Sequence, residues 1–216
     1  MYIGRIVAAG MTRSGKVAVG YRVSSRSFPN RTASLTDSKV SIIPRKGHEG
    51  DLAKNPYIAY NCLRLSGNIA LVTNGSQTDP IIEKVASGMN LRDAFALPML
   101  AMDYEKDSLD TPRVSAAVDA ANGIAMLGVV RKDAILVREF KLEPGKIYYL
   151  STYEKNSPCP RNCDDAFDVQ SASELCDYVI KGGVFADFEK PVTAASALWN
   201  GSAYEIAVAD APVPEE

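Results

Sequence analysis

Residues 69–93 read IALVTNGSQTDPIIEKVASGMNLRD, and the apolar period changes inside them. Ile69 to Thr73 follows a Gly67-Asn68 turn and carries the composition of a returning hairpin strand. From Asp79-Pro80 the period turns helical. Asp caps, Pro fits the first helical position, and Ile81, Ile82, Val85 and Met89 supply an apolar face that Gly88 interrupts. Asn90 caps a second helix with Asp93 in its first turn, and Pro98, lacking an N–H, is predicted to kink it.

Working outward, strands are predicted at 1–9 and 16–23 around a Thr12–Gly15 turn. Further strands are expected at 39–43, which stops at Pro44, and at 57–65 after a polar loop. Beyond the helices, strands are expected at 113–118, 124–130, 134–140 and 146–153, separated by Asn122-Gly123, Lys132-Asp133 and Pro144-Gly145. Ser171-x-x-Glu174 is a capping box for a helix that Gly182-Gly183 ends, and strands follow at 192–199 and 203–209. This order predicts an α+β fold: two stacked, mainly antiparallel sheets with helices outside. No linker divides the chain, so residues 1–209 are expected to form one domain and 210–216 a flexible tail.

The formal net charge of −2 supplies no basic field for nucleic acid or an anionic membrane. No apolar run approaches the roughly 20 residues that span a bilayer, and MYIGRIVAAG lacks a basic flank before its apolar segment. It is read as a strand, and a cytoplasmic protein is expected. Cys159 and Cys163 form C-P-R-N-C, but the only histidine, His48, is distant in sequence, so free thiols are expected rather than zinc.

Four polar clusters could carry chemistry. Tyr21–Arg31, YRVSSRSFPNR, concentrates arginines and serines on a slightly acidic chain. That suits a small oxyanion such as a phosphate, although an ordinary surface loop has the same composition. In NPYIAYNC, Tyr60 is either a core tyrosine or a phenol that donates to substrate, with Asn61 on the opposite strand face. In TNGSQTD, Asn74 and Gly75 sit where a strand meets a helix start, either as turn geometry or as an anion site. In MDYEKD, Asp103, Glu105 and Asp107 repel one another, which can raise one carboxyl pKa; a solvated helix end is the competing reading. There is no GxGxxG, no Walker lysine motif and no G-x-S-x-G elbow.

Taken in order, MYIGRI, YRVSSRSFPNR, NPYIAYNC, VTNGSQTD, GMNLRDA, LAMDYEKD, LDTPR, LSTYE and KGG…F…PVTAA resemble the archaeal-type IMP cyclohydrolase family, from Met1 to about Ala197. The match is least in 155–168 and after 200. The resemblance implies a four-layer αββα sandwich like that of N-terminal-nucleophile hydrolases. The chain starts Met1-Tyr2-Ile3, so no freed Thr, Ser or Cys nucleophile is expected.

The resemblance also implies cofactor-free, dehydrating closure of 5-formamidoimidazole-4-carboxamide ribonucleotide (FAICAR) to IMP, the last step of de novo purine biosynthesis. A purine ribonucleotide is the expected partner, with no nucleic acid or membrane, and a homo-oligomer is expected. Carried onto this sequence, Tyr60, Glu105, Arg31 and Lys106 are the expected catalytic residues. Arg22, Ser24, Arg26, Ser27, Asn30, Asn61, Asn74, Gly75 and Asp103 are the expected substrate contacts. An amidohydrolase on the same fold and a non-catalytic purine-nucleotide sensor are the alternatives.

Overall fold

The computed structural model describes residues 1–212. Thirteen strands run in chain order: β1 (Ile6–Met11), β2 (Val17–Ser24), β3 (Arg31–Thr36), β4 (Lys39–Pro44), β5 (Tyr60–Ser66), β6 (Ile69–Thr73), β7 (Arg113–Asp119), β8 (Ile124–Arg131), β9 (Ala134–Lys141), β10 (Lys146–Ser151), β11 (Cys163–Asp164), β12 (Pro191–Trp199) and β13 (Tyr204–Asp210). The helices are α1 (Asp51–Lys54), α2 (Thr78–Ala86), α3 (Leu91–Met102) and α4 (Ala172–Lys181). One sheet has the order β11-β10-β1-β2-β12-β13, the other β3-β4-β5-β6-β7-β8-β9. The ladders between these strands are antiparallel, and Met11 of β1 adds one isolated parallel bridge to Pro144.

Alternation explains the layers. Val17, Val19, Tyr21 and Val23 of β2 point into a core shared with Ile42, Cys62, Val72 and Leu127 of the other sheet. Ala18, the intervening residue, packs instead with Leu175 and Val179 of α4. On the far side, Leu71, Ala117 and Met126 pack under Ile81, Phe95 and Met99 of α2 and α3. Helix, sheet, sheet and helix therefore lie in succession. No described helix is long and apolar enough to cross a membrane.

The α+β reading holds, with local corrections. β3 and the two-residue β11 were not expected, and α1 lies inside the stretch read as loop. Residues 56–58 form a 3₁₀ turn, so β5 starts at Tyr60; Asn55 accepts the Tyr57 N–H and Pro56 opens the turn. The cap expected at Asp79 lies earlier, because α2 starts at Thr78. Asp79 instead accepts from Asn61 and Arg64. Asn90 caps α3 as expected, and α3 runs on through Pro98 to Met102. Of the expected tail, Asp210 closes β13 and the Ala211 N–H bonds to the Val192 carbonyl. Residues 213–216 lie outside the described residues.

Each helical layer approaches its sheet over a glycine. A Cβ on Gly20 would meet Val179 Cγ1 at 2.8 Å, and one on Gly128 would meet Met99 Sδ at 3.0 Å. Gly20→Val should therefore overpack the α4 layer and cost about 1–3 kcal/mol. The expected reading is a lower urea midpoint, whereas the same change at exposed Gly50, with nothing within 4 Å of its Cβ position, should leave the midpoint nearly unmoved.

Candidate active site

Antiparallel pairing gathers several strand ends at one end of the sandwich. Ile6 pairs with Arg22, Ile42 with Tyr60, and Thr73 with Ser115. There the apolar core gives way to polar groups. Tyr21 of β2 and Tyr60 of β5 meet across the two sheets, hydroxyl to hydroxyl at 2.6 Å. Burial pushes both phenols above their ordinary pKa, while the charges of Arg31 and Arg5 partly offset this at Tyr60. Both are therefore neutral and able to donate at neutral pH. Arg31, first residue of β3, is 1% exposed; its Nε donates to the Phe28 carbonyl at 3.1 Å.

Glu105 follows α3 through Asp103, which has φ 58° and ψ −174°, a conformation strained for a side-chain-bearing residue. That turn, and the 2.8 Å bond from the Glu105 N–H to the Thr111 carbonyl, carry Glu105 inward until it is 1% exposed. Arg5 Nη2 donates to Glu105 Oε2 at 2.9 Å, and Arg113 Nη1 lies 3.8 Å from Oε1. Burial raises the carboxyl pKa, and the Arg5 and Arg113 charges pull it back.

Three buried polar atoms here, Arg5 Nε, Arg31 Nη1 and Glu105 Oε1, have no protein hydrogen-bond partner. An unmet buried donor or acceptor costs roughly 1–3 kcal/mol, more for a charged group. Their concentration at one end of the core marks a place that a polar ligand would satisfy. Beside it opens a cavity of about 190 Å³, lined by Tyr2, Arg5, Ser25, Arg26, Ser27 and Tyr153 among others. The Arg26 guanidinium stacks over the Tyr2 ring at 4.0 Å.

Of the residues expected from sequence, Arg26 and Ser27 line this cavity, and Arg31, Tyr60 and Glu105 belong to the buried polar cluster beside it. The others lie elsewhere. Alternation turns Arg22 to the α4 side, where its N–H groups go to Ser24 Oγ and to the carbonyls of Val179, Ile180, Phe185, Phe188 and Glu189. Arg22 and Ser24 thus serve the fold, with no donor of Arg22 left for a phosphate. Asn61 faces α2, between Ser41 and Asp79. Asn30 lines a separate cavity with Arg45 and Val192.

Asn74 is consumed by Pro112, Gln77 and Val114. The Gly75 N–H bonds to Thr73 Oγ1, although a Cβ on Gly75 would come within 3.3 Å of Glu105 Oε1. Lys106 is adjacent to Glu105 in sequence but 58% exposed, and it pairs with Asp103 at 2.6 Å. Asp103 contributes its backbone instead, accepting from Arg113 Nε at 2.8 Å.

Sequence reasoning did not pick out Arg5, Tyr21 or Arg113 as site residues. Arg5 carried a readable signal, a lone charge within MYIGRIVAAG. Tyr21 counted only as an apolar residue, and Arg113 as the end of LDTPR.

A profile described as IMP cyclohydrolase-like protein matches residues 2–203. A protein of Methanosphaera stadtmanae named IMP cyclohydrolase is 45% identical over 95% of this chain and 98% of its own. A protein of the same name from Methanocella arvoryzae is 45% identical over 98% of this chain and 100% of its own. Another, from Methanocaldococcus jannaschii, is 40% identical over 96% and 98%.

Arg22 and Arg26 should separate by experiment. Arg22→Met leaves a set of buried carbonyls without donors and should cost about 3–5 kcal/mol in chemical denaturation. Arg26→Ala, at a 62% exposed side chain, should stay within about 0.5 kcal/mol of the parent.

Proposed function

The chain belongs to the IMP cyclohydrolase-like family, and on that premise we propose how its residues carry out the ring closure. The reaction is the dehydrating cyclisation of FAICAR to IMP, which ends de novo purine biosynthesis. The 4-carboxamide nitrogen attacks the formyl carbon, and the formyl oxygen leaves as water. Nothing is oxidised or reduced, so the chemical demand is for proton transfer, charge stabilisation and a productive rotamer.

The observation that carries the assignment is the buried Glu105 carboxylate, held on one oxygen by Arg5 and bare on the other. As a carboxylate of raised pKa it takes a proton from the weakly nucleophilic amide nitrogen during attack. Tyr60, its hydroxyl set by Tyr21, donates to the formyl oxygen as charge builds there. Arg31 Nη1 and Arg5 Nε supply further donors to that oxygen. In the second half the protonated Glu105 returns its proton to the departing hydroxyl. The hydrogen already on that hydroxyl comes from Tyr60 as the oxyanion forms; water leaves, and the proton lost by the former formamido nitrogen as the C=N bond forms returns to Tyr60. Ser25, Arg26 and Ser27 at the cavity rim hold the 5′-phosphate.

The sandwich is taken to be of the N-terminal-nucleophile hydrolase type, a reading supported by its helix–sheet–sheet–helix layering. Residues 1–209 act as one domain, a reading supported by the core shared between the sheets. A homo-oligomer in the cytoplasm is expected; Leu97, Leu100, Ile135 and Leu136 are exposed apolar residues available for symmetric contacts.

Glu105→Gln should lower kcat about 10²-fold or more in an absorbance assay of IMP formation, and Arg31→Ala and Tyr60→Phe should each fall by about tenfold or more. Near-normal turnover in all three would sink this site. A parent protein that binds IMP without exceeding the uncatalysed rate would establish the sensor reading instead. Because Glu105 must start ionised, kcat should rise with pH through a limb above the ordinary carboxylate range near about 4.3.

A further inference from the structure

TNGSQTD meets the active site at two places, through the Gln77 hydrogen bond to Arg113 and through the close approach of Gly75 to Glu105. Asn74 Oδ1 accepts from the Val114 N–H at 2.7 Å and from Gln77 Nε2 at 3.0 Å. Gln77, also fully buried, turns its Oε1 to Arg113 Nη1 at 3.2 Å. Arg113 Nε is fixed to the Asp103 carbonyl at 2.8 Å, on the strained residue that turns the chain toward Glu105. The guanidinium is thus pinned at two points and 5% exposed. It stops 3.8 Å from Glu105 Oε1, an ion-pair separation without a hydrogen bond. The space next to it is kept clear by Gly75, where a Cβ would lie 2.7 Å from both Arg113 Nη1 and Gln77 Oε1.

We propose that Arg113, held by the Asn74–Gln77 hydrogen bonds and the Asp103 carbonyl, is a positioning residue that sets the charge balance of Glu105 while leaving Oε1 free to exchange a proton with substrate. This rests on Glu105 as the proton-transfer group. A direct Arg113–Oε1 bond would occupy the oxygen that must react, whereas loss of the Arg113 charge would leave Arg5 alone to favour the carboxylate against burial. The built distance meets both demands. The charged groups facing Glu105 are Arg5 from the segment before β1, Arg113 from β7 and Asp107 from the following loop. Arg5 and Arg113 favour the carboxylate, and Asp107 opposes it.

The sign follows. Removing the Arg113 charge raises the Glu105 pKa, so the acidic limb of kcat moves to higher pH. The test is ¹³C NMR titration of the Glu105 carboxyl in full-length protein, assigned by the signal lost in Glu105→Gln, together with kcat and KM for FAICAR across pH. Arg113→Met should move the carboxyl midpoint and the kcat limb upward together by about one unit, with KM within about twofold. Gln77→Leu should move both the same way by less, and Arg113→Lys should bring them back toward the parent.

A midpoint unmoved in Arg113→Met and Gln77→Leu overturns the proposal. So does a KM that rises with kcat unchanged, which would make Arg113 a substrate contact. If Arg113→Met does not fold, Gln77→Leu and Arg113→Lys decide by the same readings. Full activity in Glu105→Gln removes the underlying site and this proposal with it, whereas an inactive Glu105→Gln beside an unmoved Arg113→Met midpoint removes the proposal alone.

Discussion

The Arg5–Glu105 ion pair joins the two halves of the sandwich where their shared core stops being apolar. Arg5 leads into β1 of one sheet, and Glu105 precedes β7 of the other. Such a pair is a poor source of stability, because desolvating both charges consumes most of what their attraction returns. It does constrain: neither partner can leave without stranding a charge in the core. The turn at Asp103 and the approach of Arg113 are arranged around that constraint. The valences the pair leaves unmet, Arg5 Nε and Glu105 Oε1, are the ones the chemistry can use.

Strand alternation sorts the rest of the site. In β2 one step separates Tyr21, which reaches Tyr60 across the sheets, from Arg22, which reaches the carbonyls at the end of α4. The two arginines of YRVSSRS have therefore opposite fates. Arg22 is fully buried and spends its donors on backbone, while Arg26 lies beyond the strand end at the rim of the cavity. Tying down α4 also secures β2, since α4 rests on Gly20 and Ala18 of that strand. The arginine that does not face the cavity keeps in place the strand that carries Tyr21.

How much of this was legible depends on range. Hairpins and helix caps are local, and turns such as Asn122-Gly123 and caps such as Asn90 and Ser171 marked their elements. β3 escaped because RTASLT begins with a buried arginine and presents Thr32, Ser34 and Thr36 on its other face, so its alternation carries little apolar contrast. The motifs drew attention to these clusters, yet which member faces the buried polar cluster is decided by side-chain direction and by partners distant in sequence. Asn74 read as a ligand residue because a strand-to-helix turn can bind anions; here its amide closes the turn onto β7. Lys106 read as the partner of Glu105 because it is adjacent, but adjacent residues after a helix point apart, and the true partner, Arg5, is 100 residues away.

Distance in sequence also accounts for the rigidity of the site. Glu105, Tyr60, Tyr21, Arg5 and Arg31 come from separate segments, each anchored by a sheet or by backbone hydrogen bonds. An intramolecular ring closure needs the formyl and carboxamide groups held in one rotamer, and a wall fixed by independent strands resists the small displacements that cost such reactions most. Only the cavity rim formed by Arg26 and Ser27 is left to an exposed loop, where ionic contacts tolerate looser geometry. Rigid floor and adaptable rim thus follow from where the strands end.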